Sequence, residues 1–423
     1  MGDASDTQEL VIDRVGAQGD GVGVTPRGPV FVPLTLPGER VRVRVDGGRA
    51  ELVEVLEPSA ERVPPVSPHY GACGGCSLQH WAQAPYLEWK REQVRAVLSR
   101  EGLETEIAPV LAFPPGTRRR LALHARRCQR GAVTLGFKGR RSWTVVDVEV
   151  CPVADPRLVA TFPALRKLAA AFLDHPKSAP TLHVTWTLSG LDVDVTGVER
   201  KSGGPHSGLS ADRIMDVAEV ASAARFARVT LAGEMLYMAH QPMVAIGRAV
   251  VALPPGSFLQ AVPAAEEAMA RLAIEAVGDA KRTADLFCGV GAFALRLAET
   301  SSVLAADSSA PAVAALNAAV GGTAGLKSVT TEARDLFRRP VSAAELKGVE
   351  AVVFDPPRAG ALEQTREIAA SGAGCVVAVS CNPTTFARDA RVLVDAGWRL
   401  ERVTPVDQFL WSAHIELVAV FRR

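Results

Sequence analysis

The 423-residue chain has no run of about 18 apolar residues, the length that crosses a bilayer, so no segment is expected to span a membrane. It also lacks an excess of charge. Its 47 Lys and Arg stand against 46 Asp and Glu, for a formal net charge of +1. Composition alone therefore does not announce a polyanionic partner, and any basic surface must be local. The seven cysteines, Cys73, Cys76, Cys128, Cys151, Cys288, Cys375 and Cys381, are odd in number and unevenly spaced. That argues against a secreted disulfide framework. The opening MGDASDTQEL has no basic stretch leading into an apolar one, and Asp6 breaks the myristoylation pattern. A reducing cytoplasm is the expected location.

What the chain does have is the balance of a globular protein with a substantial core, 48% apolar and 22% charged. Its length predicts two or three domains. Residues 1–60 hold short apolar or alternating runs (ELVIDRV, PVFVPL, ERVRVRV, RAELVEVLE) parted by Gly- and Pro-containing turns. They predict a small OB-like β-barrel with Arg40, Arg42 and Arg44 on one strand face. Alternating Arg alone is no more than a solvated face. Residues 61–255 predict a mixed α+β domain. It opens with a Pro-rich linker at Pro64, Pro65 and Pro68 and a Cys-rich turn at 73–76. An amphipathic helix near Trp89 to Leu98, Arg-bearing strands over 117–150 and a loop over 195–215 follow. Residues 256–423 alternate Ala-rich helices with the buried-strand runs TADLF, SVLAAD, GVEAVVFD and GCVVAVS. This repetition predicts an α/β, Rossmann-like, mostly parallel sheet covered on both faces. Ligands of such sheets bind at the carboxyl ends of the strands.

The first of these strands runs into CGVGAF, Cys288–Phe293, where Gly289 and Gly291 allow a tight turn and close approach to a ligand at a helix start. Dinucleotide enzymes use the same logic. Asp307, 22 residues beyond Asp285, is placed to accept from ribose hydroxyls, and Asp335 is suited to an adenine edge. Each Asp alone is as readily a helix N-cap. Asp355, Pro356 and Pro357 follow the fourth strand. A D-P-P run there is foreign to dehydrogenases and resembles S-adenosylmethionine methyltransferases that act on planar bases.

Cys381 lies in SCNP, Ser380–Pro383, directly after an apolar strand. A strand, a sharp polar turn and a Pro expose the sulfur at the active edge; the competing reading, a small buried hydrophobe, carries less weight given the Asn-Pro that follows. An exposed thiol there suits one reaction in particular. C5 of a pyrimidine is a poor nucleophile until a thiolate adds to C6. A base must then remove the C5 proton so that the thiolate can leave. Glu416, among the apolar neighbours of HIELVAV, is the candidate base, since burial would raise its pKa into a useful range.

Together DLFCGVG, DPPRAG, SCNP and HIE resemble the class I RNA 5-methyluridine methyltransferases, in particular the 23S rRNA branch. The resemblance covers nearly the whole chain and is densest over 256–423. It implies S-adenosylmethionine as methyl donor, RNA (above all 23S rRNA) as partner, and a monomer. Carried over by position, it makes Cys381 the nucleophile, Glu416 the base and Asp355 a neighbour of both uracil and methyl donor. Phe258 and Gln260, in PGSFLQ, would stack on the base and contact cofactor or uracil. Phe287, Gly289, Gly291, Asp307 and Asp335 would contact the cofactor. DRVGAQGDGVGV in the barrel resembles a TRAM domain, which gives the alternating Arg an RNA-binding meaning.

The resemblance further implies an iron–sulfur cluster (4Fe-4S) on Cys73, Cys76 and Cys151. Ser67 stands where the family has a fourth Cys. A serine ligand, an open iron, Cys128 as substitute, zinc with His69 or His80, or no cluster at all are the alternatives. The alternative functions are tRNA uridine C5-methylation, an N-methyltransferase that would not need Cys381, and an RNA-binding protein with an inactive methyltransferase domain. A 5-methylcytidine enzyme fits less well, because Pro357 and Arg358 occupy the region where its nucleophile would sit.

Overall fold

The computed structural model describes residues 7–128, 131–173, 175, 178–199 and 209–423. Strands β1 (Thr7–Val15), β2 (Gly21–Thr25), β3 (Gly28–Val32), β4 (Arg40–Asp46) and β5 (Arg49–Glu57) close into a barrel in the order β1-β2-β3-β5-β4. Period-2 alternation turns Leu10, Ile12, Val30, Val32, Val41 and Val43 into its core. The outer face corrects one expectation. Arg40 pairs with Glu9 and Glu57, Arg42 with Glu9 and Glu54, and Arg44 with Glu51. The register explains it: β4 lies between β1 and β5, with Glu9 and Glu54 opposite Arg42, Glu57 opposite Arg40 and Glu51 opposite Arg44. Cross-strand neighbours thus neutralise the alternating Arg, which is not a free basic surface.

Helix α1 (Gln83–Arg100) and the short strands β6 (Glu106–Ile107) and β7 (Leu111–Ala112) follow. Strands β8 (Arg120–Arg127), β9 (Val133–Lys138) and β10 (Val145–Asp147) precede helices α2 (Pro156–Ala160) and α3 (Phe162–Ala170). Next come β11 (Thr181–Thr187), β12 (Gly190–Thr196), α4 (Ala211–Ala223), β13 (Arg228–Leu231) and β14 (Glu234–Met238). These strands form a seven-stranded sheet, β10-β9-β8-β11-β12-β13-β14, with α3 and α4 on its apolar face. The loop expected over 195–215 falls partly outside the described residues. A hairpin, β15 (Met243–Ile246) and β16 (Ala249–Ala252), leads into the last unit.

That unit comprises α5 (Pro263–Val277), β17 (Arg282–Leu286), α6 (Ala294–Leu297), β18 (Ser302–Asp307), α7 (Ala310–Gly321) and β19 (Val329–Ala333). It continues with β20 (Ala351–Phe354), α8 (Leu362–Ala370), β21 (Cys375–Ser380), α9 (Pro383–Asp395), β22 (Arg399–Asp407) and β23 (Glu416–Arg422). The sheet order is β19-β18-β17-β20-β21-β23-β22-β6. Strands β17 to β21 run parallel, and β23 is antiparallel to both neighbours. AVVF of β20 and CVVAVS of β21 are buried at every position, as a sheet covered on both faces requires. In sequence α1, β6 and β7 lie within 61–255, yet they pack on this last sheet, with β6 and β7 pairing with β22.

One buried ion pair ties these layers together. Lys90 of α1 is wholly buried and donates to Asp407 Oδ1 at 2.6 Å, to the His414 carbonyl at 2.8 Å and to the Phe409 carbonyl at 3.3 Å. All three ammonium donors are used, so the loop from β22 to β23 is wrapped around one cation. Lys90→Met should cost about 3–5 kcal/mol, because it strands the Asp407 carboxylate without its partner. Urea unfolding measures this; a loss under about 1 kcal/mol would mean that the pair carries no more than a surface bridge does.

Candidate active site

The chain order reverses between β17 and β20, whose carboxyl ends therefore flank the crevice where such sheets bind ligands. A cleft of about 850 Å³ opens there. Phe258, Gln260, Phe287, Gly289, Asp307, Asp355, Cys381 and Glu416 all line it. Eight sequence-predicted residues, spread over more than 150 positions, are thus brought to one wall.

Two others are not among the lining residues. Gly291 faces the helices: a Cβ there would meet Leu316 Cδ1 at 2.5 Å, so its role is close packing. Asp335 turns to its own chain and accepts from the Phe337 amide at 3.0 Å, while Leu336 and Phe337 line the cleft instead.

The glycine turn suits a ribose-bearing ligand. Gly289 has φ +53°, and a Cβ on it would meet nothing within 4 Å, so the turn faces open space. Asp307 accepts from the Gly289 amide at 3.0 Å and from the Ser309 amide at 2.7 Å, which fixes its carboxylate at the end of β18. Phe287 holds a left-handed φ of +63° between strand and turn, a strained conformation costing of order 1–2 kcal/mol. Beneath them Asp285 accepts from the Ala294 amide at 2.7 Å, while its Oδ1 is buried without a partner. Burial raises its pKa well above the usual carboxylate range. These features fit a nucleoside-bearing cofactor.

The thiol and the carboxylates meet at the next strand ends. Register pairs Ser380 of β21 with Leu417 of β23, and the residues just beyond that last pair, Cys381 and Glu416, both line the cleft, close enough for the Glu416 charge to act on the thiol. This is how the C-terminal strand delivers its first residue to the edge reached by the parallel strands. The turn after Cys381 is rigid. Asn382 caps α9 by accepting from the Thr384 amide, and Pro383 fills the first helical position. Asn382 Nδ2 also donates to the Arg358 carbonyl at 3.0 Å, binding the SCNP turn to the DPPR turn.

The electrostatics favour protons here. Burial pushes Asp355 up to about 7. Burial, and then the Asp355 charge, pushes Glu416 up to about 8. Burial and the two carboxylates push the half-buried Cys381 thiol up to about 11, with Arg358 opposing. Carboxylates of this kind can take or release a proton near neutral pH.

Sequence reasoning missed some of the wall. Gln408, which also lines the cleft, donates to Glu416 Oε2 at 2.6 Å and to Gln260 Oε1 at 2.7 Å, and Gln260 donates to Asp355 Oδ2 at 3.0 Å. Arg118 and Arg120 line the cleft too, the latter 5.0 Å from the centroid of the Phe258 ring. Phe258 is 69% exposed, an aromatic face with room for a stacked base. The RRR run was the available signal for the arginines; nothing local marks Gln408.

Cys73, Cys76 and Cys151 come together with Ser67 and His69 on a second cavity of about 410 Å³. Burial raises all three thiols, Cys76 to about 12. Ser67 Oγ is occupied as acceptor of the His69 amide. Three thiols and an engaged serine do not make a four-thiolate set. Among the described residues no group of three or more His, Cys, Asp or Glu is arranged to hold a metal ion. The structure therefore does not support the expected iron–sulfur cluster. Nor does it contain, among the described residues, a helix long and apolar enough to cross a membrane.

Comparison with known proteins places the chain in a family. The tRNA (uracil-5-)-methyltransferase family model matches residues 209–423. An uncharacterized RNA methyltransferase of Caulobacter vibrioides is 64% identical over 98% of this chain and 100% of its own length. A 23S rRNA (uracil(1939)-C(5))-methyltransferase, RlmD, of Alkalilimnicola ehrlichii is 32% identical over 98% of this chain and 96% of its own. The fold matches the crystal structure of Pyrococcus abyssi tRNA (uracil-54, C5)-methyltransferase in complex with S-adenosyl-L-homocysteine. That match has a TM-score of 0.72 at 23% identity, covering 98% of this chain and 99% of the other. The chain belongs to the RNA uracil-C5 methyltransferase family and is an S-adenosylmethionine-dependent RNA methyltransferase.

Proposed function

We propose that this enzyme methylates C5 of a uridine in 23S rRNA through a covalent bond between Cys381 and C6. The observation that carries the proposal is the meeting of the Cys381 thiol with the Glu416 and Asp355 carboxylates in one cleft, just past the paired ends of β21 and β23. An N-methyltransferase needs no such thiol. The choice of 23S rRNA rests on the 32%-identical relative named for that substrate. In this reading residues 7–57 form a TRAM-like barrel, which would contact RNA elsewhere than on its neutralised Arg40, Arg42 and Arg44 face, the seven-stranded sheet a central RNA-binding domain, and the last sheet the catalytic domain.

Gly289, Phe287 and Asp307 would hold the cofactor, which would supply an electrophilic methyl group. The residues do the rest. Phe258 receives the uracil after it leaves its stack. Cys381 gives its thiol proton to Asp355 as Sγ adds to C6, which makes C5 an enolate carbon. C5 then takes the methyl, and the electron pair of the broken sulfur–methyl bond stays on the donor's sulfur as a neutral thioether. Glu416 then removes the C5 proton. The C5–H electron pair re-forms the C5–C6 double bond and expels the thiolate. The ionised form of Glu416 is required, so turnover should rise with pH through about 8.

The test uses 5-fluorouridine-substituted RNA, whose C5 fluorine cannot leave as a proton does. With cofactor present, 23S rRNA should form a denaturation-stable, methylated complex that maps to Cys381 by mass spectrometry. A fully active enzyme that forms no adduct overturns the mechanism. An adduct with tRNA but not 23S rRNA overturns the substrate.

A further inference from the structure

Gln408 sits just beyond the carboxyl end of β22, between the Glu416 carboxylate and a second glutamine, Gln260. Its Oε1 accepts from the Ala261 backbone amide at 3.2 Å. A backbone N–H can only donate, so the Gln408 oxygen must face it. The amide nitrogen of Gln408 must then face the other way, where it donates one hydrogen to Glu416 Oε2 and the other to Gln260 Oε1. The Gln260 oxygen is thereby used as an acceptor, and its nitrogen is left to donate to Asp355 Oδ2. One backbone amide sets the polarity of the whole chain of hydrogen bonds. Both carboxylates end up receiving N–H donors.

Glu416 Oε2, engaged as an acceptor, cannot carry a proton directed at that donor. A carbonyl oxygen accepts better than a hydroxyl oxygen, so a proton that Glu416 gains is favoured on Oε1. We propose that Gln408 is a positioning residue that favours the carboxylate form of Glu416 over what its burial alone would give and presents Oε1 as the oxygen that takes the C5 proton. This rests on the reading of Glu416 as the base.

The surroundings make the donor matter. The titratable groups facing Glu416 are Asp355 after β20 and the Cys381 thiol after β21. Buried Asp285 lies behind Asp355. Arg118, Arg120, Arg358, His183 and Asp307 line the same cleft further out. His414 lies two residues away, and its carbonyl is held by Lys90. Asp407, beside Gln408, is turned into its pair with Lys90. The nearest charge on Glu416 is thus another carboxylate, and burial also favours the neutral acid. Gln408 opposes both.

Gln408→Met keeps length and volume but removes both donors. A hydrogen bond to a charged group is worth enough to move a titration by about one to two units. The acidic limb of the turnover profile should therefore move up by about one to two pH units, and the rate should recover toward wild type at high pH. With ordinary uridine RNA at neutral pH, the methylated covalent adduct should accumulate, since only its breakdown needs the base. With 5-fluorouridine RNA, adduct formation should proceed at the wild-type rate, which also shows that the variant is folded and binds cofactor. A uniform fall in rate at all pH values, with no shift of the limb, overturns the proposal. Glu416→Gln serves as the control. If it turns over normally, the reading of Glu416 as base has failed. If it stalls while Gln408→Met keeps the wild-type profile, the role of Gln408 alone has failed.

Discussion

Cys381→Ser should lower methyl transfer by at least about 10⁴-fold while leaving S-adenosylmethionine binding intact. The serine hydroxyl is far less acidic and far less nucleophilic than a thiol. The nearest proton acceptors, Asp355 and Glu416, are themselves raised by burial and stand too low to ionise it. The side chain is half-buried at the end of β21 and leaves the Asn382 cap and the Ser380 contacts unchanged, so folding should not be the cause. Calorimetry with cofactor separates the two effects. Binding within about twofold of wild type together with absent turnover places the loss in chemistry. Full activity would mean that C5 is not attacked through a thiol adduct, and an amine nitrogen would then become the target.

The cleft in the last sheet was legible because most of its informative residues sit at strand ends. A buried strand announces itself as an apolar run, and whatever polar residue follows it must lie at the sheet edge. Asp307, Asp355 and Cys381 were found that way, and Glu416 through the cost of an acid among apolar neighbours. Gly291 and Asp335 show the limit of that logic: both lie in the right stretch, yet the first faces Leu316 and the second its own turn. Gln408 was hidden because its partners Ala261 and Gln260 are 147 and 148 residues away. Lys90 was hidden for the same reason, since Asp407 lies 317 residues along the chain. The barrel was legible from period-2 alternation, but the charge of its face was not. Arg40, Arg42 and Arg44 read as basic one strand at a time, and only the register shows Glu9, Glu51, Glu54 and Glu57 beside them.

Glu416→Gln should let Cys381 add and the methyl transfer, then stop. Turnover should fall by about 10²–10⁴-fold, the range that a positioned base contributes. The distinctive result is a methylated RNA–protein adduct formed with ordinary uridine RNA. It should survive denaturing electrophoresis and contain one cofactor-derived methyl group. The same substitution should act on stability in the opposite sense. Glu416 has a folded pKa raised from 4.5 to about 8, so the folded state holds its proton more tightly than the unfolded chain does. The stability this contributes is fully present below about 4.5 and is lost as pH rises through about 8. The substituted glutamine amide cannot ionise. The variant should therefore gain Tm relative to wild type as pH rises from 5 to 9, with the gap opening mainly between about 5 and 8. A residue that loses catalysis while gaining stability at alkaline pH is one whose burial serves the reaction rather than the fold. If Glu416→Gln instead lost Tm at every pH and formed no adduct, the carboxylate would be holding the β22–β23 loop in place, and the base would have to be sought in Asp355.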